Sequence, residues 1–137
     1  MKKTSILNKL RSSGLRPTKQ RVEIAKFLFN RDKTFHFTVE SLSKNLAKKT
    51  TSKFAIATIY NTVHAFKKAG HLSAVHLRGK NNTTYFDTNI SNHHHFYDSG
   101  TSELIDINDN EIKFEKVPKA PNGKTIKNLE VIINLKN

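Results

Sequence analysis

Positive charge is concentrated in the first 80 residues of the chain. These residues hold 18 Lys and Arg against 3 Asp and Glu, whereas residues 81–137 hold 6 against 8. In a chain of 137 residues with a net charge of +13, such a break favours two small modules over one evenly charged domain. A strongly basic module also indicates a polyanionic partner, either nucleic acid or an anionic membrane surface.

The chain contains no cysteine, which excludes disulfides, a Cys-based structural zinc site and an iron–sulfur cluster. The first residues, Met1, Lys2 and Lys3, are rich in basic side chains, but no long apolar segment follows them. The sequence therefore predicts neither a signal peptide nor a transmembrane helix, and we expect a cytoplasmic protein that does not act at a membrane.

Hydrophobic periodicity in the basic module predicts helices, the first of them over residues 4–12. Pro17 is placed in the first turn of a second helix, where its missing N–H is not needed. Thr38 is predicted to be the N-cap of a third helix. A fourth helix is predicted over residues 54–69, with a single buried stripe formed by Ile56, Ile59, Val63 and Phe66.

A β-hairpin is predicted after the fourth helix, with strands at residues 72–77 and 83–87 and a basic turn between them. Helices followed by such a hairpin indicate a winged helix-turn-helix, which we assign to residues 1–87. In residues 88–137 strands are predicted at 103–107, at 112–114 and within 129–135. The predicted fold class is thus α+β, with a small, mostly β second domain that we expect to dimerise.

The exposed face of the predicted fourth helix is suited to a DNA major groove. Short or planar side chains lie opposite the buried stripe, and an Asn there can pair with adenine by two hydrogen bonds. Surrounding lysines would contact phosphates without reading sequence, and Arg16 and the hairpin turn could reach the minor groove or backbone. The candidate DNA-binding residues are Arg16, Lys53, Thr58, Tyr60, Asn61, Lys67, Lys68, Arg78 and Lys80.

A run of histidines, His93, His94 and His95, begins the second module. Neighbouring side chains of a strand point to opposite faces, so His93 and His95 would share one side and His94 would face the other. Neutral imidazole binds first-row transition metals and ferric haem. Oxygen ligands could come from Asp87 or Asp106, or from Asp98 or Glu103, and His36 could complete a site between the modules. His64, His71 and His76 are expected to be surface or phosphate-facing residues instead.

These motifs together resemble the ferric uptake regulator family over nearly the whole chain. The resemblance rests on GLRPTKQR at residues 14–21, ATIYNT at 57–62, YFDT at 85–88 and HHHF at 93–96, and the last three are most similar to the iron response regulator branch. It implies a cytoplasmic homodimer that binds AT-rich operators in double-stranded DNA. It further implies that DNA binding is active when haem is scarce, with the run of histidines at residues 93–95 as the haem site.

The resemblance also implies roles for individual residues. Arg16 corresponds to the minor-groove residue of the family and Tyr60 to the tyrosine of its recognition helix. The regulatory metal site of the family corresponds to His36, Asp87, His93, His95 and Asp106.

Several positions depart from the family pattern. Asn61 stands where an arginine is common, so operator preference is expected to differ. Asp98 and Thr101 replace a Cys pair, which removes the structural zinc, and the haem-binding Cys-Pro motif is absent. Residues 118–123 replace a helix of the dimerisation domain, and Leu129 stands near the place of a late histidine ligand.

Other functions stay open at the level of sequence. The nearest alternative is a regulator in which Fe²⁺ or Mn²⁺ acts as corepressor, and the divalent affinity order would also let Zn²⁺ occupy such a site in vitro. A sequence-neutral, nucleoid-type DNA binder would show affinity that depends steeply on salt. An enzyme is not expected, because the chain has no general base at a motif spacing, no Gly-rich phosphate loop and no nucleophile elbow.

Overall fold

The four helices and the hairpin of the first unit follow the predicted order, and a short strand that was not predicted, β1 (His36–Phe37), lies between the second and third helices. The computed structural model describes residues 3–77 and 83–137, whose backbone divides into a first unit that ends at Ile90 and a second that begins at Ser91. In the first unit these elements are α1 (Lys3–Ser12), α2 (Lys19–Phe29), β1 (His36–Phe37), α3 (Val39–Lys49), α4 (Ile56–Lys68), β2 (Ser73–His76) and β3 (Thr84–Asp87).

Hydroxyl side chains cap α2 and α3. Thr18 accepts a hydrogen bond from the backbone N–H of Arg21, so α2 begins at Lys19. The placement of Pro17 in the first turn of that helix was therefore wrong, because Thr18 already supplies the cap and Pro17 precedes it. At α3 the predicted N-cap is confirmed: Thr38 and Ser41 form a reciprocal capping box.

The core of the first unit lies between the helices. In α4 the buried residues are Ile59, Thr62, Val63 and Phe66. The prediction that Ile56 is buried was wrong, since 54% of its surface is exposed. Ile56 is the first residue of the helix and lines an open cavity there, whereas Thr62 takes a place in the buried stripe. The remaining core residues are Ile6, Leu10, Val22, Ile24, Ala25, Leu28, Phe37, Leu42, Leu46, Leu72 and Phe86.

The first sheet has the order β1-β3-β2, with antiparallel pairing throughout. The predicted hairpin is confirmed by the pairing of β2 with β3, while its turn at residues 78–82 lies outside the described residues. On the other edge of β3, His36 is opposite Asp87 and Phe37 is opposite Phe86. This register brings a histidine and an aspartate together at the end of the sheet.

The second unit is mostly β, as predicted. Its strands are β4 (His94–Asp98), β5 (Glu103–Ile107) and β6 (Ile132–Leu135), in the order β5-β4-β6. β4 is antiparallel to β5 and parallel to β6. The weaker strand expected at residues 112–114 is not formed. A 3₁₀ turn at Asp109–Glu111 precedes this segment, and the Phe114 ring lies edge-on to His94 without a paired strand beside it.

Within the described residues, no helix combines the length and the apolar composition needed to cross a bilayer.

His71 joins the end of α4 to the loop after α1. Its Nε2 lies 2.7 Å from the Oγ of Ser13, and its ring lies edge-on to Phe29. Lys9, whose ammonium group lies 4.6 Å from the centre of the Phe29 ring, belongs to the same cluster. Burial, followed by the positive charge of Lys9, lowers the pKa of His71, and a hydrogen bond with the backbone of Lys9 opposes this shift.

We predict that His71 makes the first unit less stable in mild acid. Because its folded-state pKa is lowered, the unfolded chain binds more protons as the pH falls below about 6.5. The contribution of neutral His71 to the free energy of unfolding is therefore complete above that pH and is lost as the pH decreases. In urea unfolding followed by helical circular dichroism, His71→Gln should lose less stability than the wild type between about pH 7 and pH 5. His76→Gln, at an exposed position in β2, is the control, and equal pH dependence in all three proteins would contradict the prediction.

Candidate metal and nucleic-acid sites

A His–Asp pair lies at the end of the sheet of the first unit. The pairing of β1 with β3 places His36 opposite Asp87, and the Nε2 of His36 lies 3.1 Å from the Oδ2 of Asp87. Asp87 is fully buried, and its Oδ1 accepts a 2.8 Å hydrogen bond from the backbone N–H of Asn89. These contacts fix the orientation of the carboxylate, so both side chains are held as ligands of a metal site usually are.

The second unit carries a similar cluster on β4 and β5. Cross-strand pairing places His95 opposite Asp106, and the Nε2 of His95 lies 3.2 Å from the Oδ1 of Asp106. His93, two residues earlier, directs its own Nε2 to the same oxygen at 3.2 Å. The two imidazoles therefore share one face, as strand alternation predicts, and one carboxylate oxygen lies next to both.

His94 points away from this cluster. Its Nδ1 accepts a 2.9 Å hydrogen bond from the backbone N–H of Val131, and its ring contacts Phe114, with 5.7 Å between centroids. The three consecutive imidazoles thus do not converge on one point. Of the other oxygen ligands considered, Asp98 instead accepts hydrogen bonds from the backbone N–H groups of Gly100 and Thr101 and stabilises the turn after β4.

The chemistry of the second cluster fits a divalent cation. The Nδ1 of His93 lies 2.7 Å from the carbonyl oxygen of Ser91. Because a carbonyl only accepts, Nδ1 donates this hydrogen bond, and Nε2 is the ring nitrogen that faces the carboxylate of Asp106. A proton on Nε2 or a metal ion can hold the ring beside this carboxylate, and in a metal site the hydrogen bond at Nδ1 would orient Nε2 as a ligand.

The distances in both clusters also fit a metal ion. Two ligand atoms each about 2.1 Å from one ion lie about 3.0 Å apart at a right angle and about 3.4 Å apart at the tetrahedral angle. The His–Asp separations are 3.1 Å in the first unit and 3.2 Å in the second. Imidazole nitrogen and carboxylate oxygen, without sulfur, are the donors suited to Fe²⁺, Mn²⁺ and Zn²⁺.

The exposed face of α4 carries most of the residues predicted to contact DNA. Tyr60 is 52% exposed, Asn61, Lys67 and Lys68 are exposed, and Thr58 is half-buried. Elsewhere in the first unit, Arg16 and Lys53 are also exposed. Arg78 and Lys80 lie outside the described residues, and the role of each of these residues in DNA binding stays a prediction.

A cavity of about 610 Å³ lies beside this face of α4, between the helix and the hairpin. Tyr60 and His64 line it from α4, and Phe86 lines it from β3. The sequence pattern indicated only that His64 is a surface residue. Its contact with Phe86 joins positions 22 residues apart in the chain, and helical spacing could have identified only the contact with Tyr60, one turn earlier.

The model of the ferric uptake regulator family matches residues 12–134. The chain belongs to this family. Ferric uptake regulators are metal-responsive transcription regulators, not enzymes, and members bind DNA as dimers. No curated protein sequence matches the chain.

Solved structures of ferric uptake regulators share this fold. The protein from Pseudomonas aeruginosa, solved with manganese, is 24% identical with a TM-score of 0.70 and covers 100% of this chain and 98% of its own. The Vibrio cholerae protein is 21% identical with a TM-score of 0.71, over 96% of this chain and 98% of its own. The Helicobacter pylori protein is 19% identical with a TM-score of 0.69, over 100% of this chain and 92% of its own.

We predict that Asp106→Asn weakens Mn²⁺ binding by at least about 10-fold, because the variant keeps the shape of the side chain but loses the anionic ligand that both histidines face. Isothermal titration of the metal-stripped full chain measures the change. Asp98→Asn is the matched control. It makes the same substitution in the same pair of strands, but the carboxylate of Asp98 stabilises a turn and does not face the two histidines. Equal Mn²⁺ affinity in Asp106→Asn and the wild type would contradict the assignment.

Proposed function

We propose that this ferric uptake regulator is a DNA-binding transcription regulator controlled by Fe²⁺ or Mn²⁺. The proposed ligands are His36 and Asp87 from the first unit and His93, His95 and Asp106 from the second. A bound divalent ion would supply positive charge that neutralises both carboxylates and would replace the protons of the imidazole nitrogens that face them. Because the ligands belong to different units, their arrangement would then depend on the metal, which is the means of control that we propose.

One observation carries this proposal: the Oδ1 of Asp106 lies 3.2 Å from the Nε2 of both His93 and His95. Two imidazoles around one carboxylate oxygen, with the Nδ1 of His93 hydrogen-bonded to a carbonyl, are the arrangement of donors and orienting contact that a divalent ion would require. Supporting precedent comes from the Pseudomonas aeruginosa regulator, whose structure was solved with manganese, and from a zinc-bound manganese uptake regulator, 22% identical to this chain.

The first unit is proposed to bind double-stranded DNA through α4. Thr58, Tyr60 and Asn61 would contact bases in the major groove, because their side chains are short or planar. Arg16 would contact the minor groove. Phosphate contacts, which set orientation without reading sequence, are proposed for Lys53, Lys67, Lys68, Arg78 and Lys80.

The two domains would divide these tasks between them. Residues 1–87 would form the winged-helix DNA-binding domain, and residues 88–137 would form the dimerisation and sensing domain. A homodimer would present two copies of α4, and its operator would accordingly contain two half-sites related by symmetry.

Control by haem, which the resemblance to the iron response regulator branch implies, is the second candidate. It would need the histidines at residues 93–95 to act as a haem site. His94 and His93 face opposite sides of β4, so the run presents two separate surfaces. The arrangement around Asp106 favours a divalent cation over haem.

The two candidates make opposite predictions for DNA affinity. We expect Mn²⁺ or Fe²⁺ to strengthen the binding of metal-stripped protein to DNA by roughly 5- to 150-fold, the usual range of coupling between two binding sites, and haemin to have little effect. A DNA duplex is first selected from a randomised pool, once by the protein with Mn²⁺ and once by the protein without it. The affinity of the protein for the selected duplexes is then measured by titration at fixed salt. Tight binding in chelator that haemin weakens would support the haem candidate instead, and a failure to enrich any sequence would indicate a nucleoid-type binder.

Asn61 and Lys68 should affect DNA binding differently. We predict that Asn61→Ala relaxes discrimination at one base pair by about 1–3 kcal/mol, because a bidentate contact is lost. Lys68→Ala, at another exposed position of α4, should weaken binding to all duplexes alike. It should also reduce the slope of log affinity against log salt concentration by about 1. Affinities for the selected duplex and its single-base variants, measured at several salt concentrations, test both statements. A uniform effect of both substitutions would show that Asn61 does not read a base.

A further inference from the structure

The imidazole of His64 contacts two aromatic rings of the first unit. One is Tyr60, one turn earlier in α4, with ring centroids 4.2 Å apart and an angle of 40° between the planes. The other is Phe86 of β3, at 5.8 Å and 82°, an edge-to-face contact. His64 thus connects an exposed residue of the proposed DNA surface to a buried residue of the sheet.

The aromatic contacts continue from Phe86 to the strand pair that carries the His–Asp ligands. Phe86 stacks on Phe37 across β1 and β3, with centroids 5.7 Å apart. The next residue pair in the same register is His36 and Asp87. Any change in the separation or register of β1 and β3 therefore acts on the stacked phenylalanines and, through Phe86, on His64.

Tyr60 has space to adopt other positions. The cavity beside α4 is lined by Ile56, Tyr60 and His64 along the helix and by Phe86 across from it. A half-exposed tyrosine next to open volume is not held by close packing from all sides. Its contact with His64 favours one position of the ring, since aromatic pairs stabilise a defined geometry beyond the effect of burial.

We propose that His64 is a positioning residue that sets the ring of Tyr60 for base contact and makes that position dependent on the β1–β3 pair. The inference rests on the proposed DNA-binding role of α4. His64 would act through its planar ring and not through a contact of its own with DNA. A ring of similar shape at this position should therefore preserve the function.

The experiment compares the wild type with His64→Ala, His64→Phe and His76→Ala. His64→Ala removes the ring from an exposed helix position where Ala is well tolerated, and His64→Phe keeps a planar ring. His76 also lines the cavity, but its Nδ1 contacts Thr84 instead, so His76→Ala is the matched control. Affinities for the selected duplex and for a scrambled duplex are measured in Mn²⁺ and in chelator.

We expect His64→Ala to reduce the preference for the selected duplex in Mn²⁺ by roughly 2- to 10-fold, the effect of losing one aromatic pair. Its affinity for the scrambled duplex should be unchanged, and its activation by Mn²⁺ should fall. His64→Phe should retain most of the preference, and His76→Ala should retain all of it.

Two results would overturn the proposal. Unchanged preference in His64→Ala would show that Tyr60 is positioned without the ring, and an equal loss in His64→Phe and His64→Ala would show that the imidazole contacts DNA directly. Failure of the proposed function gives a different result, in which Mn²⁺ activates none of the proteins. If His64→Ala alone then still loses preference, the positioning role stands without metal control.

Discussion

A buried carboxylate determines how the sheet of the first unit ends. Asp87 has no exposed surface, and an ionised carboxylate in such a place requires hydrogen bonds or a cation around both oxygens. One oxygen lies next to the Nε2 of His36, and the other accepts the N–H of Asn89. The carboxylate therefore links β1, β3 and the chain that leaves β3. Removing one of these contacts would take away part of the hydrogen bonding that a buried carboxyl group needs.

The second unit uses the same arrangement of a histidine and an aspartate paired across antiparallel strands. The pairing register brings His36 opposite Asp87, 51 residues later in the chain, and His95 opposite Asp106 on the next strand. Antiparallel pairing is a precise way to do this, because directly opposed side chains lie on the same face within about 5.5 Å. The difference is exposure: Asp87 is buried, whereas Asp106 is exposed. The carboxylate of Asp106 is thus accessible to water and ions.

Local patterns in the sequence were sufficient to predict the helices, the hairpin and the mostly β second unit, since amphipathic periodicity and caps act over a few residues. The errors occur where tertiary contacts decide. Ile56 has the right spacing to be buried, but it begins its helix beside an open cavity. Pro17 suits a first turn, but Thr18 is the cap. Residues 112–114 have β-forming side chains, but a strand needs a partner. The His64–Phe86 contact was not predicted either, because it depends on how α4 packs against β3.

The last two residues of β3 contact different parts of the first unit. Phe86 and Asp87 are consecutive, so their side chains leave the strand on opposite faces. Phe86 packs against the ring of His64 and the core, while Asp87 faces His36. A register shift of one residue would exchange the two faces and place a carboxylate against α4. The stacked Phe37–Phe86 pair, buried in the core, opposes such a shift. The packing that stabilises the fold therefore also keeps His36 and Asp87 opposite each other.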